Sequence, residues 1–323
     1  FHEQNLVPPD SIKDYIAVIA KVLDMSKTIP DTVQASVITF SDTILFSGQF
    51  DYQEQSVGLN LMSALFKKSP SLLPALIPKL VPLLNSLFEC NDDELALHQA
   101  LIFLANLASS FGPSVLEFEA HYFETIANII SERSTLRYYL TAMEAAAKII
   151  KFCNDNTLVE PMTREILFLL QDESDDVTTV REVCTYISMM AKSLATVDIK
   201  IVKTIFSSLI YAATENDDHE LISRCFEALS KMYKRLRSLD VPYFDEHANQ
   251  LIQNIFTGQI KILNGAADNL FTLPSDLASY LLEFVEVYLR NSPSNSNDIF
   301  AILLKWIEKA DEPTIVLLIG LVT

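Results

Sequence analysis

Polar, mostly acidic stretches open helical patterns near Gln53, Asp92, Ser134, Asp175 and Asp217, at intervals of about 39, 42, 41 and 42 residues. A period of that length holds two helices and their turns but no independent domain. One helical hairpin leaves an apolar face in water, so such units are stable only when stacked into a superhelix. The spacing therefore predicts an all-α chain of about seven to eight helical hairpins, read as a single array over residues 1–323.

The local patterns agree with the period. Residues 11–26 carry Ile12, Ile16, Ile19, Ala20 and Leu23 at helical spacing, with Asp10 placed as cap. The same spacing recurs in 53–68, 134–153, 176–194 and 218–238, while 94–110 is apolar on nearly all sides and is expected between neighbours. Partner helices are expected around 115–130, 157–171, 199–214 and 244–263. No run alternates with a period of two between hairpin turns, so no sheet is expected. Six glycines in 323 residues, about 2% against a usual share of about 7%, exclude chains that need glycine at phosphate loops and tight turns.

The acids at the starts have a local cause. Asn91-Asp92-Asp93-Glu94, Asp172-Glu173-Ser174-Asp175-Asp176 and Glu215-Asn216-Asp217-Asp218 place carboxylates at helix N-termini, where they accept from free N–H groups and meet the positive end of the dipole. Calcium chelation is not expected, because no loop has the glycine and closing glutamate of an EF-hand. After Asp217 the period breaks. The next start is Pro274-Ser275-Asp276, and an irregular loop is expected near 264–274, followed by units opening near Asn297-Asp298 and Glu312-Pro313. Pro70, Pro74, Pro78 and Pro82 recur every four residues; a regular helix is expected to begin late there, with one proline in its first turn and the others in a bent or extended lead-in.

No catalytic constellation is present. His2, His98, His121, His219 and His247 form neither H-E-x-x-H nor a zinc set with cysteine, and His98 reads as a satisfied core residue. No cofactor, metal site or enzymatic activity is expected. Cys90, Cys153, Cys184 and Cys225 form no C-x-x-C clip and read as buried free thiols, which suits a reducing compartment, cytoplasm or nucleus. No uncharged apolar stretch of about 18 residues exists, so no membrane insertion is expected. The chain starts at Phe1 with no basic-then-apolar leader and is expected to be a segment of a longer one. The net charge of −18 argues against direct nucleic-acid binding and favours basic protein partners. Against that field stands a basic cluster, Arg224, Lys231, Lys234, Arg235 and Arg237. Arg224, Lys231 and Arg235 share a helix face; they form either a docking patch for an acidic partner or a solvated face on which Glu227 pairs with Lys231.

Asp175-Asp176-Val177-Thr178-Thr179-Val180-Arg181-Glu182 resembles the HEAT motif, in which an acidic turn leads into a valine–arginine pair on the second helical turn. The match rests on Asp176 and Arg181, which the resemblance implies as rungs of an aspartate–arginine ladder; the unit opening at Ser134 lacks it. Over about 53–263 the chain is similar to the karyopherin-β superfamily, with its acidic, glycine-poor chains and irregular repeats near 40 residues. That resemblance implies a segment of a nuclear transport receptor that binds basic cargo, the Ran GTPase or phenylalanine–glycine repeats of nucleoporins. The alternative is a structural HEAT scaffold in a stable complex: a phosphatase scaffold, a coat or adaptor subunit, or a chromatin-associated assembly. The drifting period favours the first.

Overall fold

The computed structural model describes residues 12–89, 94–132, 136–171, 176–257 and 273–291, with Ile260, Leu263, 304–306 and Glu308. The starts at Asp92, Ser134 and Asp175, Cys90, most of the expected loop near 264–274 and the units beyond Asn297 lie outside the described residues. Every regular element among the described residues is helical. In order they are α1 (Ile12–Met25), α2 (Asp31–Phe46), α3 (Tyr52–Lys68), α4 (Leu73–Glu89), α5 (Glu94–Phe111), α6 (Leu116–Glu119), α7 (Phe123–Glu132), α8 (Leu136–Ile150), α9 (Asn156–Gln171), α10 (Val177–Met190), α11 (Ile199–Glu215), α12 (His219–Leu236), α13 (Val241–Phe256) and α14 (Ser275–Asn291).

The chain divides into two compact units, residues 1–158 and 159–323, with the boundary in the first turn of α9. In the first unit, α1 packs on α3, α3 on α5 and α5 on α8; α2 and α7 lie against α3 and α8. In the second, α10 packs on α12 and α12 on α14, while α11 lies against α12. The rule in each unit is the same: first helices of successive hairpins stack on one another. That explains why α5 is apolar nearly all round, since it is held between α3 and α8. It buries Ala96, Ala100, Leu101, Phe103, Leu104 and Leu107.

The period is written into the bonds that cross from one hairpin to the next. Asn60 donates to Gln99 at 2.8 Å, 39 residues on, and Thr141 Oγ1 meets His98 Nδ1 at 3.0 Å, 43 residues apart. Tyr122 donates to the Val81 carbonyl across 41 residues, and Tyr288 to Asn249 across 39. His98 is thus a half-buried inter-repeat link.

Asp51 opens α3 with a reciprocal box: its carboxylate accepts from Glu54 N at 2.8 Å, and Glu54 accepts from Asp51 N at 3.0 Å. Further along the same unit, Gly112 closes α5 with φ +53, a left-handed conformation costly for any L side chain. A Cβ there would also sit 3.1 Å from the Phe152 ring. Gly112→Ala is therefore expected to lower stability by about 1–2 kcal/mol in urea denaturation, the cost of left-handed backbone plus a displaced ring. An unchanged midpoint would show that this turn relaxes freely.

The proline row departs from the expected late start. Pro70 opens a 3-10 turn and Pro74 sits in the first turn of α4, but Pro78 and Pro82 lie inside that helix. A proline at 78 removes the bond to the Pro74 carbonyl, and one at 82 removes that to Pro78. All four prolines are exposed, so the released carbonyls face water, while Leu73, Leu76, Leu80, Leu83, Leu84 and Leu87 hold the opposite face in the core. Ser86 Oγ donates to the Pro82 carbonyl at 3.1 Å. Burial of six leucines keeps the helix intact where backbone bonding alone would not.

Two segments, Pro70–Glu89 and Leu95–Glu132, are long and apolar enough to cross a membrane by length and composition, a test that core helices also pass. The first carries Lys79, and the second is interrupted by 3-10 turns at Gly112–Val115 and Ala120–Tyr122.

Candidate interaction cleft

Within the second unit, aspartates start helices and tie consecutive hairpins together. Asp176 caps α10 by accepting from Thr179 N at 2.8 Å, and Asp218 caps α12 by accepting from Leu221 N at 2.7 Å. Arg181, one turn into α10, reaches forward to the second cap. Its Nε and Nη2 donate to Asp218 Oδ1 and Oδ2 at 3.1 and 2.6 Å, and Nη1 lies 2.7 Å from Glu220 Oε2. The second helices repeat the device. Asp198 caps α11 through Lys200 N, Lys203 Nζ lies 2.5 Å from Asp240, and Asp240 caps α13 through Tyr243 N. Tyr243 closes the loop: its hydroxyl donates to the Lys203 carbonyl, and its ring lies under the Lys203 ammonium at 4.7 Å.

Partial burial would raise the Asp218 pKa, but the Arg181 guanidinium and the Leu221 N–H outweigh it, and the carboxyl sits below its usual range. Asp240 is likewise lowered, chiefly by Lys203. Asp218→Ala removes both the cap and the ion pair and is expected to cost about 1–2 kcal/mol, whereas Asp218→Asn keeps a capping oxygen and should cost about half as much. Equal losses in chemical denaturation would mean that the cap contributes nothing.

This framework holds a cleft of about 510 Å³ between α9 and α11, floored by the first turns of α10 and α12. Leu169, Val177, Val180, Tyr211, Ala212 and Leu221 supply its apolar lining, and Ser207, Ser208, Glu215 and Asn216 its polar rim. Tyr211 is 69% exposed. It interrupts an otherwise polar row along α11, Lys200, Thr204, Ser208 and Glu215. One repeat earlier, 43 residues back, Phe168 interrupts the matching row of α9, Glu160, Arg164 and Gln171, and is 41% exposed. A ring as exposed as that of Tyr211 is costly in water unless something covers it. Sequence reasoning missed both residues, although an aromatic at i+4 beyond Arg164 was a readable signal.

The basic cluster is placed differently from one patch. Arg224 and Lys231 both converge on Glu227, at 3.1 and 2.6 Å. Burial would raise the Glu227 pKa, but these two cations hold it below its usual value. Arg237 turns to α13, where Nε and Nη2 grip Asp245 at 2.5 and 2.6 Å, and Tyr233 donates to the same carboxylate. Lys234 and Arg235 project into solvent. Arg224 also borders a polar cleft of about 310 Å³ with His219, Asp276 and Tyr280. A third cleft, about 490 Å³, lies between α1 and α2 in the first unit and is lined by Tyr15, Ile19, Val33, Val37 and Phe40. Among the described residues no group of three or more His, Cys, Asp or Glu is placed to hold a metal ion.

No protein-family model and no curated protein matches this chain. Solved structures do. Kap121p is similar at 14% identity with a TM-score of 0.66, over 93% of this chain and 31% of Kap121p. Kap121p bound to Nup53p gives 16% identity and a TM-score of 0.66, over 97% of this chain and 28% of that one. A designed armadillo repeat protein gives 15% identity and a TM-score of 0.50, over 71% of this chain and 90% of that one. The chain spans about a third of the length of Kap121p. The fold is a HEAT/armadillo-like helical solenoid, similar to that of the karyopherin-β proteins.

Proposed function

We propose that this chain is a non-enzymatic, protein-binding segment of a nuclear transport receptor of the karyopherin-β kind, working in cytoplasm and nucleus. The observation that carries the reading is the largely exposed ring of Tyr211 on the lining of the α9–α11 cleft, with the partly exposed Phe168 one repeat back on the matching row of α9. Such a row fits an extended peptide that presents aromatic side chains at intervals, as phenylalanine–glycine segments of nucleoporins do. The likeness to Kap121p supports it, since that protein has been solved with Pho4p, Nup53p and RanGTP. The charge of −18 favours basic cargo, drawn in by a field that salt screens.

Tyr211→Asp is expected to weaken binding of a phenylalanine–glycine peptide by roughly tenfold, about 1.4 kcal/mol, while leaving the melting temperature nearly unchanged because the ring is exposed. Titration calorimetry across a salt series separates the two modes. Peptide held by ring burial should tolerate salt, and a lysine-rich peptide should be released by it. If the full-length protein binds neither peptide at low salt and captures no GTP-loaded Ran, the transport reading is wrong and a structural scaffold is right.

A further inference from the structure

We propose that Cys184 and Cys225 are a redox staple beneath the α9–α11 cleft, whose oxidation draws α10 and α12 together and narrows the cleft. The two thiols sit 41 residues apart at the same register of consecutive first helices, fully buried, with Sγ atoms 3.7 Å apart. Both are free. Val180 and Leu221 line the cleft. Cys184 follows Val180 by four residues and Cys225 follows Leu221 by four, so each thiol lies one helical turn further along the face that floors the cleft. The helix pair that floors the cleft is thus the pair a disulfide would tie.

A disulfide needs sulfurs about 2.05 Å apart, so the gap must close by roughly 1.7 Å. Side-chain rotation supplies part of that, and approach of α10 towards α12 the rest. The chemistry balances with hydrogen peroxide as oxidant. One thiol gives up its proton and its sulfur attacks a peroxide oxygen; the O–O bond breaks, leaving a sulfenic acid and a hydroxide that takes the proton to become water. The second sulfur then attacks the sulfenic sulfur and expels its hydroxyl, which leaves as water with the second thiol proton. Two thiols and one peroxide become one disulfide and two waters, and the sulfurs lose two electrons.

Burial sets when this happens. The Cys184 thiol as hydrogen-bond partner, together with desolvation, keeps Cys225 protonated well above the usual thiol range. A charged or bulky oxidant does not reach the pair while the interface is shut. Peroxide is small and neutral, and its access follows opening between α10 and α12, so the staple responds to sustained oxidation and to breathing of this one interface. Cys153 is half-buried and lies in the other unit, which makes it an internal reference.

The consequence for peptide binding rests on the cleft being the docking site proposed above, whereas formation of the staple does not. The test treats the native full-length protein with hydrogen peroxide and maps non-reduced peptides by mass spectrometry. The expected result is a linked peptide pair containing Cys184 and Cys225, two hydrogens lighter than the separate thiols and released by dithiothreitol. Cys225→Ala should abolish it; should that variant not fold, reversal by dithiothreitol in the unaltered protein decides. Amide exchange in residues 177–190 and 219–236 should slow on oxidation, and affinity for a phenylalanine–glycine peptide should fall. Oxidation of Cys153 with Cys184 and Cys225 left as thiols, or linkage only in denaturant, overturns the staple. Linkage with no change in exchange or affinity overturns its control of the cleft. If the reduced protein binds no such peptide, the docking reading fails by itself and the exchange measurement still decides the staple.

Discussion

Raising the pH from 5 to 8 is expected to destabilise this protein, and Glu119→Gln is expected to remove most of that loss. Glu119 ends the short helix α6 with its residue fully buried and with neither carboxyl oxygen hydrogen-bonded. Desolvation pushes its pKa up to about 8 from 4.5. Between those values the folded protein holds one proton more than the unfolded chain, so stability falls as pH rises. It is complete below about pH 4.5 and has fallen by about 3–5 kcal/mol above pH 8, at about 1.4 kcal/mol per pH unit. The capping aspartates act in the opposite sense: Asp176, Asp218 and Asp240 have lowered pKa values, so what they contribute is lost only as pH falls through the acid range. Stability should therefore peak near pH 5. The measurement is urea denaturation from pH 4 to 9 on the wild type and Glu119→Gln. Parallel curves would show that Glu119 is solvated in solution.

The second large effect has the opposite sign. Pro78→Ala is expected to stabilise the first unit by about 2 kcal/mol. The substitution restores the N–H that the Pro74 carbonyl lacks and removes a ring from a helix interior, a change worth about 3 kcal/mol in an isolated helix. Greater freedom of the unfolded chain offsets about 0.4–1 kcal/mol of it. Pro78 is exposed, so no packing is lost. A midpoint unchanged or lowered in chemical denaturation would mean that the proline row is held by something other than the leucine face beneath it. Pro82→Ala makes an internal replicate, because its missing bond is one turn further along the same helix.

The sequence by itself determined the repeat. Acids at near-42-residue spacing mark helix starts because unpaired N–H groups need acceptors, a local requirement that any window of chain displays. Asp176 and Asp218 stand 42 residues apart, as do Asp198 and Asp240, and the cations that reach forward, Arg181 and Lys203, each follow their own cap by five. The apolar spacing of 218–238 likewise announced α12, which buries Leu221, Ile222, Cys225, Phe226, Leu229 and Met232. Helix α2 was not legible. Its run of Val33, Val37, Ile38, Thr39, Phe40, Thr43 and Ile44 is β-branched and aromatic, which favours a strand in isolation. In the fold its Val37, Ser41, Ile44 and Leu45 are buried at helical spacing, and Ser36, Thr39 and Thr43 turn their hydroxyls back onto carbonyls four residues earlier.

Only the tertiary structure decided where surplus groups ended up. Arg224 and Lys231 meet Glu227 at helix spacings of three and four, and the second of those pairs was already offered by the sequence, whereas packing alone sent Arg237 to Asp245 on a different helix. Glu119 reads as one more surface acid until α6 turns it inward, and Cys184 finds Cys225 only because α10 and α12 stack in register. Pairing of this kind depends on distances between hairpins. Those distances come from the volumes of buried side chains on neighbouring helices, which no window within a single repeat contains.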